Sequence, residues 1–156
     1  MLMGKIDEIY MREALKEAGK AANIDEVPVG CIIVHKRRII ARGYNQVECL
    51  KDPTAHAEML ALTAAANYLG TKWLNGASMY VTIEPCSMCA GALVLSRIKH
   101  LYFGACDPKT GACGSVINIT NNKKLNHRIR VKNGILAEEC SSLLKEFFRK
   151  KRVKKG

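Results

Sequence analysis

Four side chains that can do chemistry stand in two short motifs of this sequence. PTAHAEML places His56 and Glu58 two residues apart where a helix pattern begins, and PCSMC places Cys86 and Cys89 three apart. In an α-helix, residues i and i+2 point about 200° apart, so His56 and Glu58 do not share a face. If they act together, they do so at the open end of the helix, around something held beyond it.

Cys86 and Cys89 follow a predicted strand and enter a helix, where side chains at i and i+3 project to the same side. The positive end of the helix dipole favours their thiolate forms. With His56 they provide two thiolates and one imidazole, which are ligands that zinc prefers. Three protein ligands leave a position for water, as in a catalytic site, whereas a structural site closes with four. Because two thiolates cancel the charge of the metal, Glu58 is predicted to take the proton from the water.

Each motif is ambiguous when taken singly. A lone CxxC is a redox pair, a metal clip or without function, and a lone HxE is weaker still. The remaining cysteines are predicted to be small apolar fillers or surface thiols, with a second metal clip at a tight loop as an alternative for Cys106 and Cys113. These remaining cysteines are Cys31, Cys49, Cys106, Cys113 and Cys140.

The elements that position the motifs alternate between helices and strands. The predicted order begins with an amphipathic helix over 6–21, a hairpin of strands 29–34 and 39–44, a polar loop over 45–51, and a helix that Asp52 or Thr54 caps and Gly70 ends. It continues with a strand 78–83, a helix opened by PCSMC, a strand 100–105, a short strand within 126–131, and a last helix with an apolar stripe over 136–148. Strands separated by helices predict a layered α/β domain in which an antiparallel hairpin leads into parallel strands.

Charge suggests a polyanionic partner. The chain has 156 residues and a formal net charge of +11, and six of the positive charges lie in the last eight residues, RKKRVKKG. A basic tail of this kind indicates nucleic acid before membrane, with a solvated end as the alternative. The tail cations are expected to have no acidic neighbours and so to be free to meet phosphates.

Composition predicts one domain in a reducing compartment. The length suffices for a core without disulfides, and the seven cysteines are expected to be reduced. No apolar run approaches ~18 residues, so a membrane-spanning segment is not expected. The first residues lack the apolar core of a signal peptide, so export is not expected either, and we expect a cytoplasmic location. The stretch AGALVL after Cys89 is apolar on nearly all sides, which indicates burial within one subunit or contact with a second.

The combination of HAE with PCxxC is the signature of zinc deaminases that act on bases. The motifs PTAHAE, EPCSMCAGAL, GACDPKTGACGS, NHRI and GILAEECSSLLKEFFRKKR together resemble those of the bacterial tRNA-specific adenosine deaminases, in order and across nearly the whole chain. This resemblance implies a cytidine-deaminase-like three-layer α/β/α sandwich with a five-stranded mixed sheet. It also implies a homodimer that converts the wobble adenosine of a tRNA anticodon, chiefly of an arginine tRNA, to inosine.

The resemblance also assigns roles to residues. It implies a deaminase domain over 1–149 followed by a basic tail over 150–156, with one zinc per subunit on His56, Cys86 and Cys89 and a proton shuttle at Glu58. The implied contacts to the tRNA anticodon stem-loop are Asn45, Val29, Asp107, Lys109, Asn126, His127 and Phe148. The chain departs from the family pattern at Cys31, Cys106 and Cys113 and in the loop QVECLKD.

Two other functions fit part of the pattern. A deaminase of the same fold acting on guanine, cytosine or a free nucleotide shares both motifs, but has no use for a cationic tail. A non-catalytic zinc domain that binds RNA would not need Glu58, and its zinc would want a fourth protein ligand.

Overall fold

The computed structural model describes residues 2–155 along the backbone and the side chains of residues 4–154. The strands are β1 (Gly30–His35), β2 (Arg38–Tyr44), β3 (Ser78–Ile83), β4 (His100–Ala105) and β5 (Arg130–Lys132). The helices are α1 (Leu2–Asn23), α2 (Val47–Leu50), α3 (Ala57–Leu69), α4 (Ser87–Leu95) and α5 (Ala137–Lys155). None of the helices described is long and apolar enough to cross a membrane.

The strands form one five-stranded mixed sheet in the order β2-β1-β3-β4-β5. β1 pairs antiparallel with both β2 and β3, while β3–β4 and β4–β5 are parallel. The predicted hairpin and the change to parallel strands are therefore confirmed. The short strand predicted within 126–131 lies further along the chain than its pattern suggested, as β5 over Arg130–Lys132.

Side chains alternate between the two faces of the sheet, so that each face has its own core. Ile33 and Val81 belong to the cluster under α3 and α4, whereas Ile32 and Tyr80 belong to the cluster under α1 and α5. A period of two in the strands therefore buries both faces, as a sheet covered on both sides requires. The result is the predicted three-layer α/β/α sandwich.

α3 lies unusually close to β2. A Cβ atom on Gly43 would come within 2.4 Å of the Ala57 carbonyl oxygen and 3.0 Å of the Ala61 amide nitrogen. The absence of a side chain at Gly43 therefore lets the first turn of α3 rest on the strand. This contact sets the position of His56 and Glu58, which lie at the same end of α3.

The predicted start of α3 is wrong. Asp52 Oδ1 accepts hydrogen bonds from the amide of Thr54 at 2.8 Å and from its hydroxyl at 2.7 Å. This local turn uses the Asp52 carboxylate, and Pro53 disfavours a helical conformation at the residue before it. The helix consequently begins later, with His56 at the N-cap position, and it ends as predicted at Gly70 in the left-handed region.

The polar loop predicted over 45–51 contains a short helix, α2. The buried carboxylate of Glu26 accepts hydrogen bonds from the amide of Glu48 at 3.0 Å and from that of Cys49 at 2.7 Å. A carboxylate from a distant part of the sequence therefore accepts hydrogen bonds from the free amides at the start of α2. The helix was not predicted because four residues are too few to show a helical pattern.

The basic tail continues α5 as a helix. Its cations were expected to lack acidic neighbours, and for three of them this is wrong. Arg149 and Lys150 pair with Glu146 at 2.7 and 3.9 Å, and Lys151 pairs with Asp25 at 2.8 Å. The helical period brings Glu146 beside Arg149 and Lys150, and the tertiary fold brings Asp25 beside Lys151.

Candidate metal centre and active site

Two helix N-termini meet at the carboxyl end of β3. His56 occupies the N-cap of α3, and Cys86, which follows β3 after Glu84 and Pro85, occupies the N-cap of α4. Neither side chain caps its own helix, so the imidazole and the thiol remain available. Cys89, in the first turn of α4, points to the same place and is fully buried.

The three predicted ligand atoms are close enough to share one ion. His56 Nδ1 lies 3.7 Å from the sulfur of Cys86 and 3.5 Å from that of Cys89. Zinc–nitrogen and zinc–sulfur bonds meeting at a tetrahedral angle separate the two ligand atoms by about 3.6 Å. All three ligand atoms lie within 4.8 Å of one another, and in the described part of the chain no other trio of potential ligands does so. The site fits zinc, and the alternative clip at Cys106 and Cys113 finds no support.

The thiols are coupled to the imidazole. Hydrogen bonds from Cys89 and His56 lower the pKa of Cys86 to about 3. The hydrogen bond to Cys86, with burial, raises the pKa of Cys89, and the bond to Cys86 raises the pKa of His56 against the effect of burial. A metal that binds both sulfurs requires each of them as a thiolate, so metal binding displaces the protons of the thiols.

Glu58 lies in the first turn of α3, on the wall of the same cavity as His56 and Cys86. Its side chain is 3% exposed. Burial raises the pKa of Glu58, because the charged form loses hydration that its few polar neighbours replace only in part. A carboxyl with a raised pKa exchanges protons more readily near neutral pH, which suits a general acid and base.

The cavity beside the metal ligands is open and has a volume of about 980 Å³. This is at the upper end of the range typical of small-molecule sites. Most of the residues predicted to contact substrate lie on its wall, from four separate parts of the chain. They are Val29 and Asn45, then Asp107 and Lys109, and finally Phe148.

Asn45 is held in place by the backbone on both sides. Its amide nitrogen donates to the Val27 carbonyl at 3.2 Å, and its amide oxygen accepts from the Val47 backbone amide at 3.3 Å. The side chain is only 8% exposed. Asn45 therefore presents a fixed polar edge to the cavity.

Asp107 shapes its own loop. Its Oδ1 accepts from the amides of Lys109 and Thr110 at 2.9 and 3.1 Å, and its Oδ2 accepts from the Thr110 hydroxyl at 2.7 Å. Burial acts to raise the pKa of Asp107, but these hydrogen bonds outweigh it and the pKa is lowered. The loop therefore presents Lys109 to the cavity from a turn closed by a carboxylate.

Asn126 and His127 lie apart from the cavity. Asn126 borders a second depression, beside Trp73 and Leu95. A ring nitrogen of His127 lies 2.6 Å from the Ile98 carbonyl oxygen. Within one chain these two residues are not brought together with the metal ligands.

Two further residues of α5 reach the cavity wall, Phe147 from the predicted apolar stripe and Lys151 from the basic tail, with the Lys151 amino group 5.5 Å from the centre of the Phe147 ring. Two buried carboxylates of the wall were missed from the sequence. They are Glu26 and Glu84, which are 1% and 2% exposed. The sequence could have pointed to these two carboxylates only through their positions, with Glu26 directly before VPVG and Glu84 directly before PC.

Glu84 is an ionised carboxylate within the protein. Burial acts to raise its pKa, but hydrogen bonds from the Ser115 hydroxyl and from three loop amides outweigh it, and the pKa of Glu84 is lowered. A carboxylate with this environment accepts hydrogen bonds and holds its charge.

The fold and the site together define a zinc-binding hydrolytic deaminase of the cytidine-deaminase type. The family model for the cytidine and deoxycytidylate deaminase zinc-binding region matches residues 4–105. The chain belongs to this family and, within it, to the tRNA-specific adenosine deaminases of bacteria.

The relatives that support this placement are similar over almost their full length. The tRNA-specific adenosine deaminase of Aquifex aeolicus is 53% identical, covering 96% of this chain and 97% of the relative. That of Bacillus subtilis is 50% identical, covering 96% and 92%. A structure solved for a study of A-to-I editing by tRNA:A34 deaminases at the wobble position of transfer RNA is 42% identical, with a TM-score of 0.84. It covers 86% of this chain and 98% of that one.

Proposed function

We propose that this protein deaminates the wobble adenosine of a tRNA anticodon, chiefly that of an arginine tRNA. The reaction is hydrolytic, gives inosine and ammonia, and takes place in the cytoplasm. The observation that carries the proposal is the convergence of His56, Cys86 and Cys89 beside the buried carboxylate of Glu58 in one open cavity. The curated relatives named for tRNA adenosine deamination support the choice of substrate.

Residues of this chain hold one zinc ion and move the protons. His56, Cys86 and Cys89 are the proposed ligands, with one zinc per subunit. Zinc bound there supplies a Lewis acid that lowers the pKa of a water directed at C6 of the adenine. Glu58 accepts a proton from the water, delivers a proton to N1 of the ring, and later passes one to the leaving amino group. Water adds and ammonia leaves, so that adenosine becomes inosine.

The base must leave its stack to enter the cavity, which costs least in a single-stranded anticodon loop. Asn45 is proposed to hold the flipped nucleotide, and Val29 to line the pocket of the base. Asp107 and Lys109 are proposed to contact the neighbouring nucleotides. Asn126 and His127 lie outside this cavity, so we assign them to nucleotides that extend beyond it.

The end of α5 is proposed to grip the anticodon loop. Phe147 and Phe148 both reach the cavity wall, in an edge-to-face pair with ring centres 5.4 Å apart. Phe148 is 44% exposed and can stack on an unstacked base, a contact worth ~1–3 kcal/mol. The cations that follow add phosphate contacts that carry affinity without reading sequence.

We propose a homodimer that uses the depression beside α4. Leu95, at the end of α4, is 80% exposed, and Trp73 and Leu125 nearby are 45% and 41% exposed. α4 thus buries one face on the sheet and leaves an apolar edge in water. Large apolar side chains grouped in this way are typical of an interface.

The experiment compares ammonia release from free adenine, guanine, cytidine and an anticodon stem-loop of an arginine tRNA. We expect turnover of the stem-loop alone, with inosine found at the wobble position by mass spectrometry. Faster turnover of a free base or nucleoside would identify a small-molecule deaminase instead. Tight RNA binding with no ammonia from any substrate would identify a non-catalytic RNA-binding domain.

A further inference from the structure

The carboxylate of Glu84 is fully engaged by one loop. Oε1 accepts from the Asp107 amide at 3.0 Å and from the Ser115 hydroxyl, and Oε2 accepts from the amides of Cys113 and Ser115 at 3.0 and 3.1 Å. Two hydrogen bonds to each oxygen leave the carboxylate little capacity for a substrate or for proton transfer. Glu84 is therefore suited to hold protein groups in place.

The loop packs directly on this carboxylate. A Cβ atom on Gly111 would lie 2.4 Å from the Glu84 carboxyl carbon and 2.5 Å from the Asp107 carbonyl oxygen. The Gly111 amide donates to that same carbonyl at 2.9 Å. Residues 107–115 thus wrap around a single buried anion, and a glycine is required where the backbone approaches it.

Glu84 is also joined to the metal centre through the chain. It follows β3 directly, and only Pro85 separates it from the ligand Cys86. The Ala112 amide donates to the Pro85 carbonyl at 2.9 Å, which ties the loop to the same short segment. The position of the loop is therefore set relative to the metal ligand by a few bonds of covalent chain.

We propose that Glu84 is a positioning residue that sets the distance between the metal centre and the loop carrying Asp107 and Lys109. This inference rests on the proposed function, in which that loop contacts the nucleotides beside the target base. Because Glu84 acts through the loop, its loss weakens the hold on RNA more than it slows the chemistry at Glu58.

The first test is independent of activity. Cys113 is buried and its backbone amide donates a hydrogen bond to Glu84, whereas Cys31 and Cys140 are buried elsewhere in the fold. Alkylation is measured on the zinc-loaded protein. We expect Glu84→Gln, which turns an NH₂ group toward the loop amides, to raise the rate of Cys113 alkylation about tenfold or more. Cys31 and Cys140 should remain protected. Unchanged protection of Cys113 would overturn the proposal.

The second test separates binding from chemistry. On the anticodon stem-loop, Glu84→Gln should raise KM about 10- to 100-fold, while kcat changes less than threefold and zinc content stays at the wild-type value. Glu138→Gln removes one exposed carboxylate from the first turn of α5 and should leave both parameters unchanged. A fall in kcat at constant KM, or loss of zinc, would overturn the positioning role.

Labelling of Cys31 and Cys140 would show whether Glu84→Gln fails to fold. In that case two milder variants replace it. Ser115→Ala removes only the bond from the hydroxyl, and Glu84→Asp keeps the charge. Both should shift Cys113 labelling and KM in the same direction by a smaller factor, and no shift in either would overturn the proposal. If the wild-type protein releases no ammonia from the RNA, the proposed function fails, while Cys113 labelling still decides whether Glu84 holds the loop.

Discussion

At the scale of single residues, the roles proposed for Glu58 and for the three metal ligands can be separated by experiment. Glu58 lies beside the ligands but is not one of the three groups whose atoms converge. Glu58→Gln should therefore keep zinc and the fold, while kcat on the stem-loop falls about 10²–10⁴-fold or more, because one residue makes every proton transfer. Metal analysis and single-turnover kinetics on the same sample check this. Loss of zinc, or turnover near the wild-type rate, would contradict the assignment.

The ligands themselves should control both metal content and stability. Cys86→Ala or Cys89→Ala should reduce zinc from one per chain to well below one, and should lower the melting temperature, because the bound metal stabilises only the folded state. Cys49→Ala is the matched control, since Cys49 is exposed and lies outside the group of converging ligands. Two stoichiometric zincs in the wild-type protein would show that a second site exists.

At the scale of secondary-structure elements, the contact between β2 and α3 decides where the site stands. Gly43→Ala puts a methyl group 2.4 Å from the Ala57 carbonyl, so α3 must shift away from the strand. We expect destabilisation of ~1–3 kcal/mol from overpacking, with weaker zinc retention because His56 moves with α3. Denaturant unfolding and competition with a chelator measure the two effects.

Gly19→Ala is the matched control for that change. Gly19 lies within α1, and a Cβ atom there would meet no atom within 4 Å. The same glycine-to-alanine substitution should therefore stabilise the protein by ~0.5–1 kcal/mol through helix propensity, with zinc retention unchanged. Equal effects at the two positions would show that the close packing of α3 on β2 does not limit stability.

At the scale of the whole molecule, the first prediction concerns the oligomeric state. We expect sedimentation at micromolar concentration to give twice the chain mass of 17.2 kDa. Leu95→Lys should give monomers, because it places a charge on the proposed apolar contact. Ile9→Lys alters a similarly exposed apolar side chain on α1, at 61% exposure, and should leave the dimer intact. A wild-type monomer would refute the dimer.

The C-terminal end of α5 should contribute to RNA affinity across the molecule. Deleting residues 150–156 should raise KM for the stem-loop and flatten its salt dependence, by a slope of about 0.7 for each single-strand phosphate that the tail no longer neutralises. A chain ending at Lys151 keeps the ion pair with Asp25 and the contact with Phe147. The two truncated chains differ by Lys150 and Lys151, so the difference between them measures what these two lysines add together. An unchanged salt slope in both would mean that the tail binds no phosphate.

The sequence by itself determined the family and the class of fold, and it predicted the candidate site. Zinc ligands and a general acid are of particular residue types, so local motifs were enough to predict that His56, Cys86 and Cys89 converge beside Glu58. Strand and helix periods report burial directly, which is why the sheet and its two covered faces were predicted well. Gly70 was recognised as the end of α3 because that position needs a left-handed backbone.

Only the tertiary structure decided which distant groups meet. Glu26 stabilises α2 and Glu84 holds the loop over 107–115, but each binds amides more than twenty residues away, and no local pattern records such a partner. The pairing of Lys151 with Asp25 spans almost the whole chain in the same way. Asn126 was predicted to contact the substrate from its sequence motif, and only the folded chain shows that it lies outside the cavity. Hydrogen bonds and ion pairs act over a few ångströms in space, and only the folded chain sets those distances.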